Sequence, residues 1–426
     1  MIPIFLSKTY KFCRNLLREI SFSFTGIKHH LFHNSENLKL EYLNWLMSRN
    51  QQKVSDNFVP ICEDSINLKE EQTKLLAFYL PQFHENDVNN KYFGKGFMEW
   101  YKVAHAIPQF TGHHQPQLPI DVGFYDLTHD DIMYRQIELA KKYGIYGFCF
   151  YYYWFSGEIL LEKPIKNFLE NKNLKIPFCI MWTNETWTSI WGNGKQEVIR
   201  KQELLDEDFD KFADDAIKMF KDERYIKVNN KPLLLIFLSH IFENKKFKAF
   251  LKNLRRRVME EGFDGITFLT TNAGYPEIDV EGLGIDGIVD FLHENLPITK
   301  YQADMKNVYI NPNFKGKIVD IKRGLKEGYH LYNNPYKTFR CVFPCWDNTA
   351  RKAYASKCWV FNMTPLDFKK WLKDAINWTK KNLSKEEQFV FIMAWNEWAE
   401  GAHLEPDQEY GYANLQIVKE VLEEVE

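Results

Sequence analysis

The sequence has no excess of charge of either sign. Its 55 lysines and arginines face 57 aspartates and glutamates, for a formal net charge of −2. A chain that grips nucleic acid generally carries a basic surplus, so this balance argues against a nucleic-acid partner. No GxGxxG or GxxxxGK[ST] follows any of its apolar runs, which removes the commonest uses of a doubly wound nucleotide-binding sheet. The seven cysteines (Cys13, Cys62, Cys149, Cys179, Cys341, Cys345 and Cys358) are odd in number and show no repeating spacing. Cys341 and Cys345 form a CxxxC, but no further His/Cys cluster completes a zinc set, and neither a metal nor a cofactor is expected. Cys149 and Cys179 sit inside apolar runs, where a free thiol behaves as a small hydrophobe. This usage fits a reducing compartment, and a cytoplasmic location is the expectation.

Long apolar stretches are missing from the N-terminus as well. "MIPIFLSKTYKFCRNLLREISFSFTGIKHHLFHN" alternates basic and apolar residues and falls far short of the roughly 20 apolar residues of a membrane-spanning helix. It also lacks the unbroken apolar centre and small-residue cleavage site of a secretory signal. Lys8, Lys11, Arg14 and Arg18 among Phe and Leu leave two readings for residues 1–35. One is a helical extension docked on the main domain or a partner; the other is a peripheral helix on the inner face of a membrane.

Aromatic residues, in contrast, are plentiful: 34 Phe, 22 Tyr and 12 Trp make up 16% of the chain. A core absorbs many of them. Tyr and Trp outside a core are what a sugar-binding groove requires, because their faces stack on the C–H patches of pyranose rings while their polar tips meet hydroxyls.

Residues 50–73 are polar and read as a linker, so the expected division is a helical extension with linker over 1–70 and a single catalytic domain over 71–426. Within the latter, eight runs read as strands: "LLAFYL" (75–80), "YGFCFYYY" (146–153), "PFCIMW" (177–182), "PLLLIFL" (232–238), "GITFLTT" (265–271), "GIVDFL" (287–292), "RCVFPCW" (340–346) and "FVFIMAW" (389–395). Most are continuously apolar rather than alternating, as parallel strands buried on both faces are. Amphipathic helical patterns lie between most of them. "HDDIMYRQIELAKKYG" has an acidic start, apolar residues three and four apart, basic Lys141 and Lys142, and a terminating Gly144. "DEDFDKFADDAIKMFKD", "ENKKFKAFLKNLRRRVMEEG" and "TPLDFKKWLKDAINWTKKN" repeat the theme. Eight strands alternating with helices over about 350 residues predict a (β/α)₈ TIM barrel.

In such a barrel the active site lies at the C-terminal ends of the strands, and there the unusual residues collect. Strand 1 runs into "YLPQFHENDVNN", followed by "GFMEW" and "HHQPQLP". Strand 2 ends in "FYYYWFSG", strand 3 in "MWTNETWTSIWG", strand 6 in "FLHEN", strand 7 in "CWDN" and strand 8 in "WNEWAEGAHLEPD". Aromatic clusters are most often core, but six of eight exits carrying Trp, Tyr, His or Glu point to a concave site lined by carboxylates and indoles, which suits a carbohydrate. Glu397 and Glu400, three apart, face the same side if the chain turns helical after strand 8. Two carboxyl groups are the usual requirement for chemistry at a glycosidic bond. Burial among Trp395 and Trp398 would raise one carboxyl pKa, and proximity would separate the two. Glu405 and Asp407 read as solvated loop residues.

"NEWAEGAHLE" (396–405) resembles the N-E-W-x-E-G-x-x-[IL]-E signature of glycoside hydrolase family 99, the endo-α-mannosidase family. The region from "LLAFYLPQFHENDVNN" to "WNEWAEGAHLEPD", with "KYFGKGFMEW", "HHQPQLP", "YGFCFYYYWFSG" and "MWTNETWTSIWG" in order, is more similar still to the WbsX-type proteins of surface-polysaccharide biosynthesis. The likeness spans roughly 350 residues; residues 1–70 match no such pattern. It implies Glu397 as the base acting on a sugar 2-hydroxyl and Glu400 as the general acid/base, without metal. It also implies a glycan or sugar-donor substrate and an enzyme that makes or remodels glycosidic bonds, a glycosyltransferase with a hydrolase as the alternative. A non-catalytic glycan-binding barrel is the third reading. Trp100, Tyr153, Trp154, Trp182, Trp187 and Trp191 are candidates for stacking on sugar. Gln82, His84, Glu99, Asn184, Glu185, His293, Glu294, Asp347 and Asn396 are candidates for bonding hydroxyls, with Tyr79, Trp346 and Trp395 at the same rim. Glu99 and Glu185 also compete for a catalytic part. The "DED" and "DFD" of residues 206–210 open a helix, where acidic residues simply favour the helix dipole.

Overall fold

The computed structural model describes residues 29–49, 55–68, 72–189, 197–273, 279–291, 295–355 and 357–425. It divides into two compact units. One holds the N-terminal helix His29–Arg49 with Met305–Tyr309; the other holds Gln52–Asp304 and Ile310–Glu426. In the first unit the Tyr42 ring lies 4.9 Å from that of Tyr309 and 5.9 Å from that of Trp45. The expectation of a membrane-surface helix rests on Lys8, Lys11, Arg14 and Arg18, which lie outside the described residues. Among the described residues no helix is long and apolar enough to cross a membrane.

The second unit is a parallel barrel. Its strands are β1 (Lys74–Tyr79), β2 (Gly147–Phe155), β3 (Phe178–Trp182), β4 (Lys231–Ile236), β5 (Thr267–Thr271), β6 (Gly287–Val289), β7 (338–342, interrupted at Arg340) and β8 (Phe389–Ile392). Each strand pairs in parallel with the next, from Leu76 opposite Gly147 round to Cys341 opposite Phe391. Lys74 opposite Phe389 closes the circuit. Counted as separate segments, the halves of β7 make nine parallel strands in the ladder. Every residue of β2 and β3 is buried, which is why these runs show no polar alternation.

A helix follows each strand: α1 (Asp130–Tyr143), α2 (Lys163–Glu170), α3 (Asp208–Phe220), α4 (Asn244–Glu260), α5 (Val280–Leu283), α6 (Ile321–Lys326), α7 (Pro365–Asn382) and α8 (Ala413–Glu424). The four helices expected from periodicity are α1, α3, α4 and α7. α1 ends at Gly144, whose φ of 93° is the left-handed value that glycine adopts without a side-chain clash. α7 opens with a capping box in which Thr364 and Asp367 satisfy each other's backbone N–H groups. α5 and α6, of four and six residues, are too short to show a period.

Three strand ends depart from expectation by three residues or more. β7 lies at 338–342 rather than 340–346, because Pro344 has no N–H to offer a ladder. β6 stops at Val289 rather than 292; Asp290, the next residue, turns its carboxylate to an arginine. β8 ends at Ile392, although the N–H groups of Met393 and Trp395 still bond Val342 and Phe78.

The seam at β7 rests on that arginine. Arg340 is buried, donates to Asp290 Oδ2 at 3.0 Å and to the Tyr332 carbonyl at 3.1 Å, and lies 4.0 Å from the Trp378 ring centre. Tyr332 donates its hydroxyl to Asp290 Oδ1 and receives Asn272 Nδ2. Burial pushes the Asp290 carboxyl up, and Arg340, Tyr332 and Asn272 offset it only in part. Removing one member of a buried ion pair strands the other, which costs about 3–5 kcal/mol. Arg340→Ala is therefore expected to lower the unfolding free energy by about that amount in urea denaturation, and a loss below about 1 kcal/mol would show that the seam does not depend on this pair.

Candidate active site

The exit of β8 is built for tight geometry. Asn396–Glu397 pairs antiparallel with Ala402–His403, and Trp398–Glu400 forms a single 3₁₀ turn between them. Gly401 closes the turn at φ 60°, and a Cβ there would stand 2.9 Å from Asp347 Cβ and 3.0 Å from its backbone N and O. The closeness has a purpose: the Asp347 N–H donates to the Glu400 carbonyl at 2.7 Å, joining the β7 and β8 exits.

Asp347 in turn presents a cation. Its Oδ1 accepts the N–H and hydroxyl of Thr349, starting the short helix Thr349–Lys352. Its Oδ2 accepts Gln115 Nε2 at 2.6 Å and faces His113 Nε2 at 2.7 Å. His113 Nδ1 accepts the Gln109 N–H, leaving Nε2 to donate. Burial works to raise the Asp347 carboxyl pKa, but His113, Thr349 and Gln115 outweigh it and hold the group below its ordinary value.

The cation so positioned is Arg351. It reaches Glu99 Oε1 at 2.6 Å, Glu400 Oε1 at 2.9 Å and Glu397 Oε2 at 3.2 Å. Burial opposes its charge, yet the three glutamates together raise its pKa. One guanidinium cannot neutralise three carboxylates. Burial, with Arg351 working against it and Glu400 and Glu99 with it, pushes Glu397 up to about 8.

These groups line a cavity of about 310 Å³ at the strand exits, with Gln82, Tyr151, Tyr153, Glu185, Trp187 and Trp346. Of the residues expected at the site, Glu397, Glu400, Gln82, Glu99, Tyr153, Glu185, Trp187 and Trp346 therefore share one cleft. Others do not line it. Trp154 points outward to α3, donating to Asp215 Oδ2 at 3.1 Å, and Trp182 packs on Phe212, Phe242 and Phe250. The strand period of two explains both: Tyr151 and Tyr153 face inward, so Trp154 faces out, as Trp182 does next to inward Met181. Trp100 is packed among Phe83, Tyr125 and Trp398. His84 Nδ1 bonds the Pro81 carbonyl, and Asp347 is occupied as described. Asn396 clamps Leu80 through both backbone groups, and Asn184 does the same to Leu238; each ties neighbouring strand exits together. Trp191, His293 and Glu294 lie outside the described residues.

Tyr79 and Trp395 belong to a second, deeper network. Glu405 accepts Gln136 Nε2 (2.6 Å), Trp398 Nε1 (2.6 Å), Tyr125 OH (2.8 Å) and Trp395 Nε1 (3.1 Å), while Tyr79 OH donates to Gln136. Glu405 and Asp407 are thus buried, not solvated loop residues as the sequence suggested. Asp407 Oδ1 caps the Glu409 and Tyr410 N–H groups. Burial pushes both carboxyls up to about 7 against these donors. The two indoles expected around one carboxyl of the Glu397/Glu400 pair instead hold Glu405. Sequence reasoning missed Arg351, Lys102, Lys352 and Tyr151, all lining the cavity. The available signals were "TARK" directly after the strand-7 exit, and the period of two for Tyr151.

A parallel barrel whose strand exits hold a carboxylate- and aromatic-lined cleft offers a sugar both hydrogen-bond partners and stacking surfaces. The chain belongs to the WbsX glycosyltransferase family, whose model matches residues 75–418. It is 36% identical over 349 residues to the protein WxcX from two strains of Xanthomonas campestris pv. campestris. That match covers 82% of this chain and 49% of WxcX, so the chain spans about half the length of the curated relatives it matches. Among solved structures, a glycoside hydrolase-like protein superposes with a TM-score of 0.53 at 14% identity, covering 86% of this chain and 98% of that one. A GH99 endo-α-mannosidase from Bacteroides thetaiotaomicron gives 0.49 at 13% identity, covering 83% and 97%.

Gly401→Ala is expected to destabilise the fold by about 1–3 kcal/mol, from the left-handed backbone and the contact with Asp347. It should also lower activity by displacing Glu400 relative to Arg351. An unchanged melting temperature and turnover would show that the turn relaxes freely.

Proposed function

We propose that the protein is a glycan-assembly enzyme of surface-polysaccharide biosynthesis, acting in the cytoplasm or at the inner membrane face, with Glu397 and Glu400 as its catalytic pair. The observation that carries this reading is the single guanidinium shared by Glu99, Glu397 and Glu400 at the barrel's strand exits, with Glu397 pushed up to about 8. A carboxyl with a raised pKa is a stronger base once ionised than an ordinary one, which suits removal of a sugar hydroxyl proton. Glu397 takes the proton of the 2-hydroxyl, the 2-oxygen attacks the anomeric carbon, and Glu400 exchanges a proton with the departing or arriving oxygen. Arg351 holds both carboxylates in place, and Trp187, Tyr153 and Trp346 offer ring faces to the sugar. Gln82, Glu99 and Glu185 supply hydrogen-bond partners for its hydroxyls. With water in place of an acceptor the same groups would perform hydrolysis.

Mass spectrometry of wild type and Glu397→Gln/Glu400→Gln, each incubated with nucleotide-sugars and lipid-linked glycans, tests the reading. A hexose-sized gain on an acceptor, lost in the substituted enzyme, is expected; a substitution-sensitive mass loss would make it a hydrolase. Turnover that survives the double substitution sinks the assignment of both glutamates. Glu400→Gln alone should abolish turnover while sparing glycan binding.

The sign of the pH dependence follows from the role of Glu397. A base must be ionised, so kcat/KM should rise with pH through about 8. Glu99→Gln removes a neighbour that raises this pKa, and the rising limb should move to lower pH. A limb that falls through this range would instead make Glu397 the acid.

A further inference from the structure

The cavity wall nearest the strands is apolar, with Leu80, Met181, Phe237, Phe291 and Met393 at the exits of β1, β3, β4, β6 and β8. Tyr151 of β2, opposite Met181, is set into that wall. Its ring packs against those of Phe78 at 5.8 Å and Tyr153 at 6.4 Å. Other buried tyrosines spend their hydroxyls inside the protein: Tyr79 donates to Gln136, Tyr125 to Glu405 and Tyr225 to the Leu233 carbonyl. The Tyr151 hydroxyl has no hydrogen-bond partner among the described residues. The residue is 7% exposed and its oxygen is not sealed inside the protein, so the hydroxyl opens into the cavity it lines.

Its neighbours give that free donor a meaning. The charged side chains that bear most on Tyr151 are Glu397 and Glu400. Burial raises its pKa well above the ordinary value and these carboxylates add to the rise, so the hydroxyl keeps its proton where the glutamates are ionised. A donor left unpaired in an apolar wall is unfavourable, and a ligand oxygen that accepts from it removes the penalty. Negative charge builds on a sugar oxygen as its proton is drawn off, and a fixed donor in a low-dielectric site stabilises such charge strongly.

We propose that the Tyr151 hydroxyl is a catalytic group, donating a hydrogen bond to the sugar 2-oxygen from which Glu397 takes a proton. The inference rests on the role given to Glu397 above. In that step the Glu397 carboxylate receives the proton, and the electron pair of the O–H bond stays on the 2-oxygen and forms its bond to the anomeric carbon. The old bond at that carbon breaks with its pair on the departing oxygen, which Glu400 protonates. Tyr151 keeps its own proton throughout. A sugar without the 2-oxygen leaves the hydroxyl unpaired, so the site discriminates against 2-deoxy sugars already at binding.

The test is Tyr151→Phe, which removes one oxygen and keeps the ring against Phe78. Its melting temperature should match wild type, since no hydrogen bond within the protein is lost. On the substrate found by mass spectrometry, kcat should fall about 10²–10³-fold, the range for one such donor, with KM changed by no more than about threefold. Tyr152→Phe, the same change on the outward face of β2, should leave kcat unchanged. Calorimetric titration with methyl α-mannopyranoside, methyl α-glucopyranoside and their common 2-deoxy counterpart reads the contact without turnover. Wild type should prefer one parent glycoside to the deoxy compound by about tenfold or more, and Tyr151→Phe should lose most of that preference. Wild-type kcat and wild-type preference in Tyr151→Phe overturn the proposal and leave the glutamates' roles intact. A wild type that binds all three glycosides alike, or none of them, overturns it as well, as does a fall in kcat that a lowered melting temperature accounts for. Turnover that survives Glu397→Gln/Glu400→Gln removes the proton acceptor the proposal needs, and a preference that still depends on Tyr151 would then make the hydroxyl a binding group only.

Discussion

Everything at the rim of this barrel is arranged around one arginine. Charges about 4 Å apart interact by about 4 kcal/mol at an effective dielectric of about 20, so three ionised glutamates could not share a small cavity unaided. Arg351 makes the cluster possible, and its own burial is tolerable only because the glutamates surround it. The compensation is incomplete by construction, since one positive charge meets three carboxyl groups. Burial does most to raise Glu397 and the shortfall adds to it, so that a group with an ordinary solution pKa near 4 holds its proton up to about 8 here.

Such a cluster demands that three separate chain segments be held in register, and the structure does this with buried polar side chains. Asn396 locks the β1 exit to the β8 exit, Asn184 locks β3 to β4, and the Asp347 backbone locks β7 to β8. Asp347 also starts the helix that carries Arg351 and is itself fixed by His113 and Gln115. Below them Glu405 gathers both indoles that flank Glu397 in sequence. None of these residues is among those with a buried side-chain polar atom lacking a partner, the condition under which a buried polar group specifies a structure without weakening it. The dense polar and aromatic texture of the strand exits therefore reflects two layers, a cleft that faces substrate and a scaffold that fixes the cleft.

That layering sets what the sequence could show. All eight strands were legible, because parallel strands buried on both faces leave long apolar runs that no other element produces at such spacing. Glu397 and Glu400 were legible as a pair on one side, and both meet Arg351. The division between the two layers was not. Trp154 and Trp182 look like sugar platforms by residue type, but the period of two along β2 and β3 turns them into the space under α3 and α4. Asp347, Asn184 and Asn396 look like hydroxyl ligands, yet their partners are backbone groups and side chains distant in sequence, which no local pattern encodes. Arg351 escaped notice because it lies beyond the strand exit, in a helix of four residues, where composition carries no period.

The balance of charge in the cleft bears on which carboxyl keeps its proton. A proton on Glu397 leaves Glu99, Glu185 and Glu400 against Lys102, Arg351 and Lys352, an even count among the cavity-lining groups. Ionising Glu397 tips that count negative, and the enclosed, partly apolar wall makes the imbalance costly. The proton on Glu397 is thus what lets four carboxyl groups share the cleft with three cations, and a ligand that draws it off has to work against that imbalance.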